Sequence, residues 1–139
     1  MKVLVDTNIL IDAFTNRQPF AEDAAKLMRI ISDGKAEGYI SVHSLTDLYY
    51  ILRKQLSDKK RREIISLLLQ IFKIAEADND IMGKAVSCEV TTDLEDCIQY
   101  VCAESIFADY IISRDKAGFS SGNIRCLDAG EFAVLFRGG

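Results

Sequence analysis

The sequence predicts a three-layer α/β sandwich built on a parallel sheet. Short, continuous apolar runs such as KVLV (2–5) and YIIS (110–113) read as strands covered on both faces. The segments between them carry helical spacing, and no hairpin turn signal joins one strand to the next. Strands separated by helices call for parallel pairing through right-handed crossovers.

Taken in order, residues 2–5 form the first strand, and Asp6 or Thr7 caps a short helix over about 8–14. Pro19 introduces a second helix over about 20–33, where Ala24, Leu27, Met28 and Ile31 keep a 3.6-residue spacing and Gly34 supplies the stop. The two read as a helical hairpin. Tyr39–Val42 is the second strand, followed by a helix over about 45–55 with Ser44 as its cap, then another over 58–72 opened by Ser57 or Asp58. Lys73–Ala77 is a short strand; helices follow over 79–89 and 93–107, strands over 110–113 and 124–127, and a closing helix over 128–136. With 139 residues, one proline, no linker and no repeat, the whole chain, 1–139, is expected to be a single domain.

Composition narrows the function classes. No apolar stretch approaches the ~20 residues that span a bilayer, and the N-terminus lacks a basic region leading into an apolar signal core. No membrane role and a cytoplasmic location are therefore expected. Cys88, Cys97, Cys102 and Cys126 have irregular spacings that encode neither a zinc site nor a disulfide framework, and the sole histidine is His43. They read as small packing residues. A net charge of −4 argues against bulk electrostatic binding of nucleic acid. The one concentrated basic feature, Lys59 to Arg62 with Arg53 and Lys54 nearby, reads first as a solvated helix face.

In open parallel sheets, function gathers beyond the carboxyl ends of the strands. Asp6 follows the first strand directly, and Asp115 follows Tyr110–Ser113 after one further residue, so both clear strands deliver an aspartate to the same edge. In TTDLEDCIQYVCA, Thr92 or Asp93 can cap the helix, and Asp93 and Glu95 are read as acids favoured by a helix N-terminus. Asp96 instead begins a face that continues through Gln99, Tyr100 and Ala103. Asp47 lies nearly opposite the apolar stripe Leu45, Leu48, Tyr49 and Leu52, which taken alone points it to solvent. Tyr50 and Ile51 flank it there, and if that side is covered the acid needs a partner. Several carboxylates brought close raise one another's pKa unless a cation neutralises them, which makes this a candidate site for a hard metal such as Mg²⁺.

These residues carry a family resemblance. VDTNILID, ISVHSLTDLYYILRK and DCIQYVCAESIFADYIISRDKAGF, in this order, resemble the PIN-domain ribonucleases, especially their VapC-like branch, across essentially the whole chain. The family's four acids fall on Asp6, Asp47, Asp96 and Asp115, with Asn8 following Asp6 and Ala103 at the helical alanine. The resemblance implies a five-stranded parallel sheet and metal-dependent hydrolysis of RNA. It implies Mg²⁺ or Mn²⁺ held by Asp6, Asp96 and Asp115, with Asp47 completing the cluster or positioning water, and Asn8 and Ser113 orienting the acids. It also implies a small antitoxin partner and a homodimer, as in the toxin of a toxin–antitoxin pair. Two positions depart from the pattern: Asp47 stands where glutamate is common, and Gly118 stands where many relatives carry an acid.

Two other classes compete. One is a catalytically weak RNA-binding or interaction module that keeps the fold. The other, a phosphohydrolase of the haloacid dehalogenase type, expects a second aspartate two residues after the first, where this chain has Asn8.

Overall fold

The computed structural model describes residues 1–137. Five parallel strands, β1 (Lys2–Val5), β2 (Glu37–Ser41), β3 (Lys73–Ala75), β4 (Tyr110–Ile112) and β5 (Arg125–Leu127), lie in the order β3-β2-β1-β4-β5. The central strand is β1. Val3 pairs with Gly38 on one side and Tyr110 on the other, and the chain reverses its direction of winding between β1 and β4. A crevice at the carboxyl ends is expected at such a switch point.

Among the described residues seven α-helices cover the sheet: α1 (Thr7–Phe14), α2 (Ala21–Ser32), α3 (Val42–Ile51), α4 (Asp58–Ile71), α5 (Asn79–Val86), α6 (Leu94–Ser105) and α7 (Ala129–Val134). The two-residue period of a strand divides the core. Val3, Val5 and Ile112 join one cluster with Leu10, Leu27, Leu48 and Phe132, whereas Leu4 and Ile111 join the other with Val101, Cys102 and Phe119. Every one of these strand residues is fully buried. The sheet is thus the middle layer, with α5 and α6 on one face and the remaining helices on the other.

The expected elements are all present, and the differences lie at their ends. Val42 does not extend β2, and Ser44 does not cap α3. Ser41 already does both jobs, pairing with Ala75 in the sheet while its Oγ accepts from the Ser44 amide at 3.1 Å. The helix therefore begins at Val42 and carries His43, Ser44 and Asp47 on its opening turns. Asp6, Ser57 and Asp93 cap α1, α4 and α6, and Gly34, with φ of 77°, follows the last turn of α2 in a backbone conformation glycine adopts without strain. Among the described residues, no helix is long and apolar enough to cross a membrane.

One buried ion pair ties the site-bearing loop to the fold. Asp12, fully buried on α1, accepts from Arg114 Nε at 2.6 Å and Nη2 at 3.2 Å, while the guanidinium lies 4.4 Å from the centre of the Phe20 ring. This fork holds the stretch between Ser113 and Asp115 against α1. Replacing Asp12 by Ala leaves the Arg114 charge without its partner and should cost about 3 kcal/mol of stability, read as a lowered urea midpoint.

Candidate metal centre

Asp6 emerges from β1 with only 8% of its surface exposed. Its Oδ1 accepts from the Thr7 amide at 2.8 Å and Gln99 Nε2 at 3.0 Å; its Oδ2 accepts from Ser113 Oγ at 2.8 Å and, more weakly, from Asn8 Nδ2 at 3.4 Å. Gln99 Nε2 also donates to Ser44 Oγ at 3.1 Å, and Ser44 Oγ lies 2.7 Å from Thr7 Oγ1. The carboxylate is thereby locked to α1, α3, α6 and the end of β4.

Asp96 and Asp47 face the same cleft, of about 230 Å³, which is also lined by His43 and Glu95. Asp115 is exposed and does not line this cleft; its amide donates to Ser113 Oγ, which also donates to Asp6, at 3.0 Å, and its Oδ1 accepts from the Gly118 amide at 3.1 Å. Burial, followed by the charges of Asp6, Asp93, Asp115 and Glu95, pushes the Asp96 carboxyl up to about 6. The cations nearest in sequence are engaged elsewhere: Arg114 binds Asp12, and Lys116 binds Asp128 and Glu131.

This arrangement fits a divalent cation. The donors are oxygens, their charges are uncompensated, and the buried Gln99 Oε1 has no hydrogen-bond partner. The neighbouring Asp6 carboxylate fixes the amide so that nitrogen faces it and oxygen turns away. Asp6, Asp96 and Asp115 do not close to within 4.8 Å of one another, whereas His43, Asp47 and Glu95 do. A hydrated Mg²⁺ can bridge part of the wider span through its own waters.

Several expectations change here. Glu95 is more than a helix-dipole acid, because its Oε2 lies 3.5 Å from His43 Nε2 across the cleft. Asp47 is half-exposed beside that histidine. Gln99 and Ser44 complete the Asp6 network, which the sequence showed only as a mixed helix face and a capping serine. The cysteines are all free, and burial raises the thiols of Cys97, Cys102 and Cys126, the last to about 12, so they act as packing groups. In the basic stretch, Arg53 stacks on Tyr50, Arg61 on Tyr49, and Arg62 pairs with Asp58. A larger groove of about 700 Å³ lies between α2 and α7; of its four acids, Asp128 and Glu131 are paired with Lys116, and Asp23 and Asp33 share the lining with Lys26, Arg29 and Lys35.

A family model described as PIN domain matches residues 2–117. The chain belongs to the PIN-domain family. Among curated proteins, Ribonuclease VapC1 of Aquifex aeolicus (strain VF5) is 31% identical over 135 residues, covering 94% of this chain and 92% of the relative. A toxin–antitoxin complex from Klebsiella pneumoniae superposes with a TM-score of 0.72 at 23% identity, covering 91% of this chain and 97% of that one. VapC20 of Mycobacterium tuberculosis, described as a toxin cleaving the sarcin–ricin loop, gives 0.66 at 13% identity, covering 88% and 95%. The sheet order and helix placement are those of the PIN fold.

Gly118 bears on the departure from the family pattern. A Cβ at this position would lie 2.5 Å from Asp115 Oδ2, so any side chain here must move the carboxylate. Gly118→Ala should weaken Mn²⁺ binding by about tenfold, measured by calorimetry, with little change in thermal stability. A pH effect follows from Asp96. Between the ordinary carboxylate range and about pH 6 the metal-free folded chain keeps a proton that the unfolded chain has lost, so raising the pH through this window destabilises it. Thermal melts of metal-free protein should show that decline, and Asp96→Asn should remove it. Because the ligand must be deprotonated, Mn²⁺ affinity should fall as pH drops below about 6.

Proposed function

We propose that this PIN-domain protein is a metal-dependent endoribonuclease and the toxin of a toxin–antitoxin pair. The observation that carries the reading is the gathering of Asp6, Asp47 and Asp96 around one cleft, with Asp115 near enough for its charge to raise the Asp96 carboxyl and the adjacent Arg114 and Lys116 turned to other acids. Asp6, Asp96 and Asp115 hold Mg²⁺ or Mn²⁺. When bound, the ion polarises the phosphodiester and lowers the pKa of water.

The chain's own groups do the rest. Gln99, Ser113, Asn8 and the Thr7 amide aim the Asp6 carboxylate, so little reorganisation is needed when a cation and phosphate arrive. Asp47, on the helix facing Asp6, positions water at the scissile phosphate. With a net charge of −4, attraction of an RNA backbone to this cleft depends on the bound cation. The 31% identical relative named as a ribonuclease supports the activity, and the toxin–antitoxin complex among the structural neighbours supports a small antitoxin partner. A homodimer in the cytoplasm completes the proposal.

Single-stranded RNA incubated with the protein and Mn²⁺ should be cut internally. Chelation should abolish the cutting, and Asp6→Asn should lower its rate by at least about 100-fold. Equal cutting by Asp6→Asn would refute the assignment. Absence of cutting by wild-type protein, with RNA still bound, would favour a binding module.

A further inference from the structure

The cleft contains a second constellation that shares only Asp47 with the acidic cluster. His43 and Asp47 stand four residues apart on α3, and Glu95 reaches them from the first turn of α6. His43 Nε2 lies 3.2 Å from Asp47 Oδ2 and 3.5 Å from Glu95 Oε2, and the three ligating atoms all fall within 4.8 Å of one another. That nitrogen is itself shielded from solvent and has no hydrogen-bond partner, so neither carboxylate oxygen is placed to take its N–H. An imidazole between two carboxylates would ordinarily settle into such a bond.

We propose that His43, Asp47 and Glu95 form a cation site for a borderline transition metal, with Zn²⁺ as its type, beside the all-oxygen cluster. The spacing fits a shared ion: tetrahedral bonds of about 2.0–2.1 Å place neighbouring ligand atoms about 3.3–3.4 Å apart, between the two observed separations. One nitrogen and two carboxylate oxygens leave a fourth position for solvent, to which all three side chains are partly open. The donor chemistry separates the two sites. Imidazole suits zinc, whereas magnesium prefers an all-oxygen, hydrated environment. The histidine supplies what irregular cysteine spacing does not, by joining two helices that the fold brings together. Since Asp47 serves both sites, zinc here withdraws it from the acidic cluster; this consequence, unlike the site itself, rests on the ribonuclease reading.

The test is calorimetric titration of the metal-stripped full chain with Zn²⁺ in excess Mg²⁺. Wild type should bind one Zn²⁺ per chain, and His43→Ala should weaken binding at least tenfold. Glu95→Gln, at a more exposed side chain that leaves α3 intact, should do the same, so a folding defect in the histidine variant does not decide the matter. Asp115→Asn and Cys88→Ser should bind Zn²⁺ as wild type does. Unchanged binding in both His43→Ala and Glu95→Gln would overturn the site, as would loss that follows Cys88→Ser or Asp115→Asn instead. No binding by wild type would overturn it outright. Because binding is read without RNA, failure of the ribonuclease reading alone would leave this result unaffected.

Discussion

The Asp6 carboxylate closes the central strand at a point almost out of reach of solvent, and the donors that hold it come from three separate stretches of chain. Thr7 and Asn8 open α1, Gln99 lies on α6, and Ser113 follows β4. A buried carboxylate missing even one such partner costs more than the bond was worth, because the desolvation remains. The network therefore constrains the fold as well as the chemistry. It fixes how α6 docks on the sheet edge, which sets where Asp96 stands, and how the chain leaves β4, which sets where Asp115 stands. The Asp12–Arg114 fork reinforces the same loop from its other side.

What the network does not supply is positive charge. Hydrogen bonds satisfy Asp6, but burial and four neighbouring acids leave the Asp96 carboxyl at about 6. The fold thus carries an electrostatic cost at this edge that a divalent cation can relieve. Sites arranged to stabilise developing charge commonly conflict with the stability of the scaffold in this way.

Much of this was legible in the chain. Asp6 and Asp115 could be placed because each follows a continuous apolar run, so local sequence alone determines that they leave a strand end. Asp96 was visible from its position at the start of a helix leading into β4. Asp47 was legible only through its family pattern, since helical geometry pointed it away from the apolar stripe without saying what lay opposite. The start of α3 was misplaced because Ser41 and Ser44 are both good caps, and only the pairing of Ser41 with Ala75 decides between them. Glu95 looked like an ordinary first-turn acid, and Gln99 like one polar residue on a mixed face. Their partners, His43 and Asp6, are 52 and 93 residues away in sequence. Asp12 gave no signal, because its partner Arg114 lies 102 residues further on.

The most direct test of the central claim, that the acidic edge is a metal centre, is a crystal structure of the protein soaked in Mn²⁺ with anomalous scattering recorded at the manganese edge. The account predicts a peak bounded by Asp6, Asp96 and Asp115, with the Gln99 and Ser113 bonds to Asp6 retained. No peak there at saturating Mn²⁺, or a peak only between His43, Asp47 and Glu95, would contradict it.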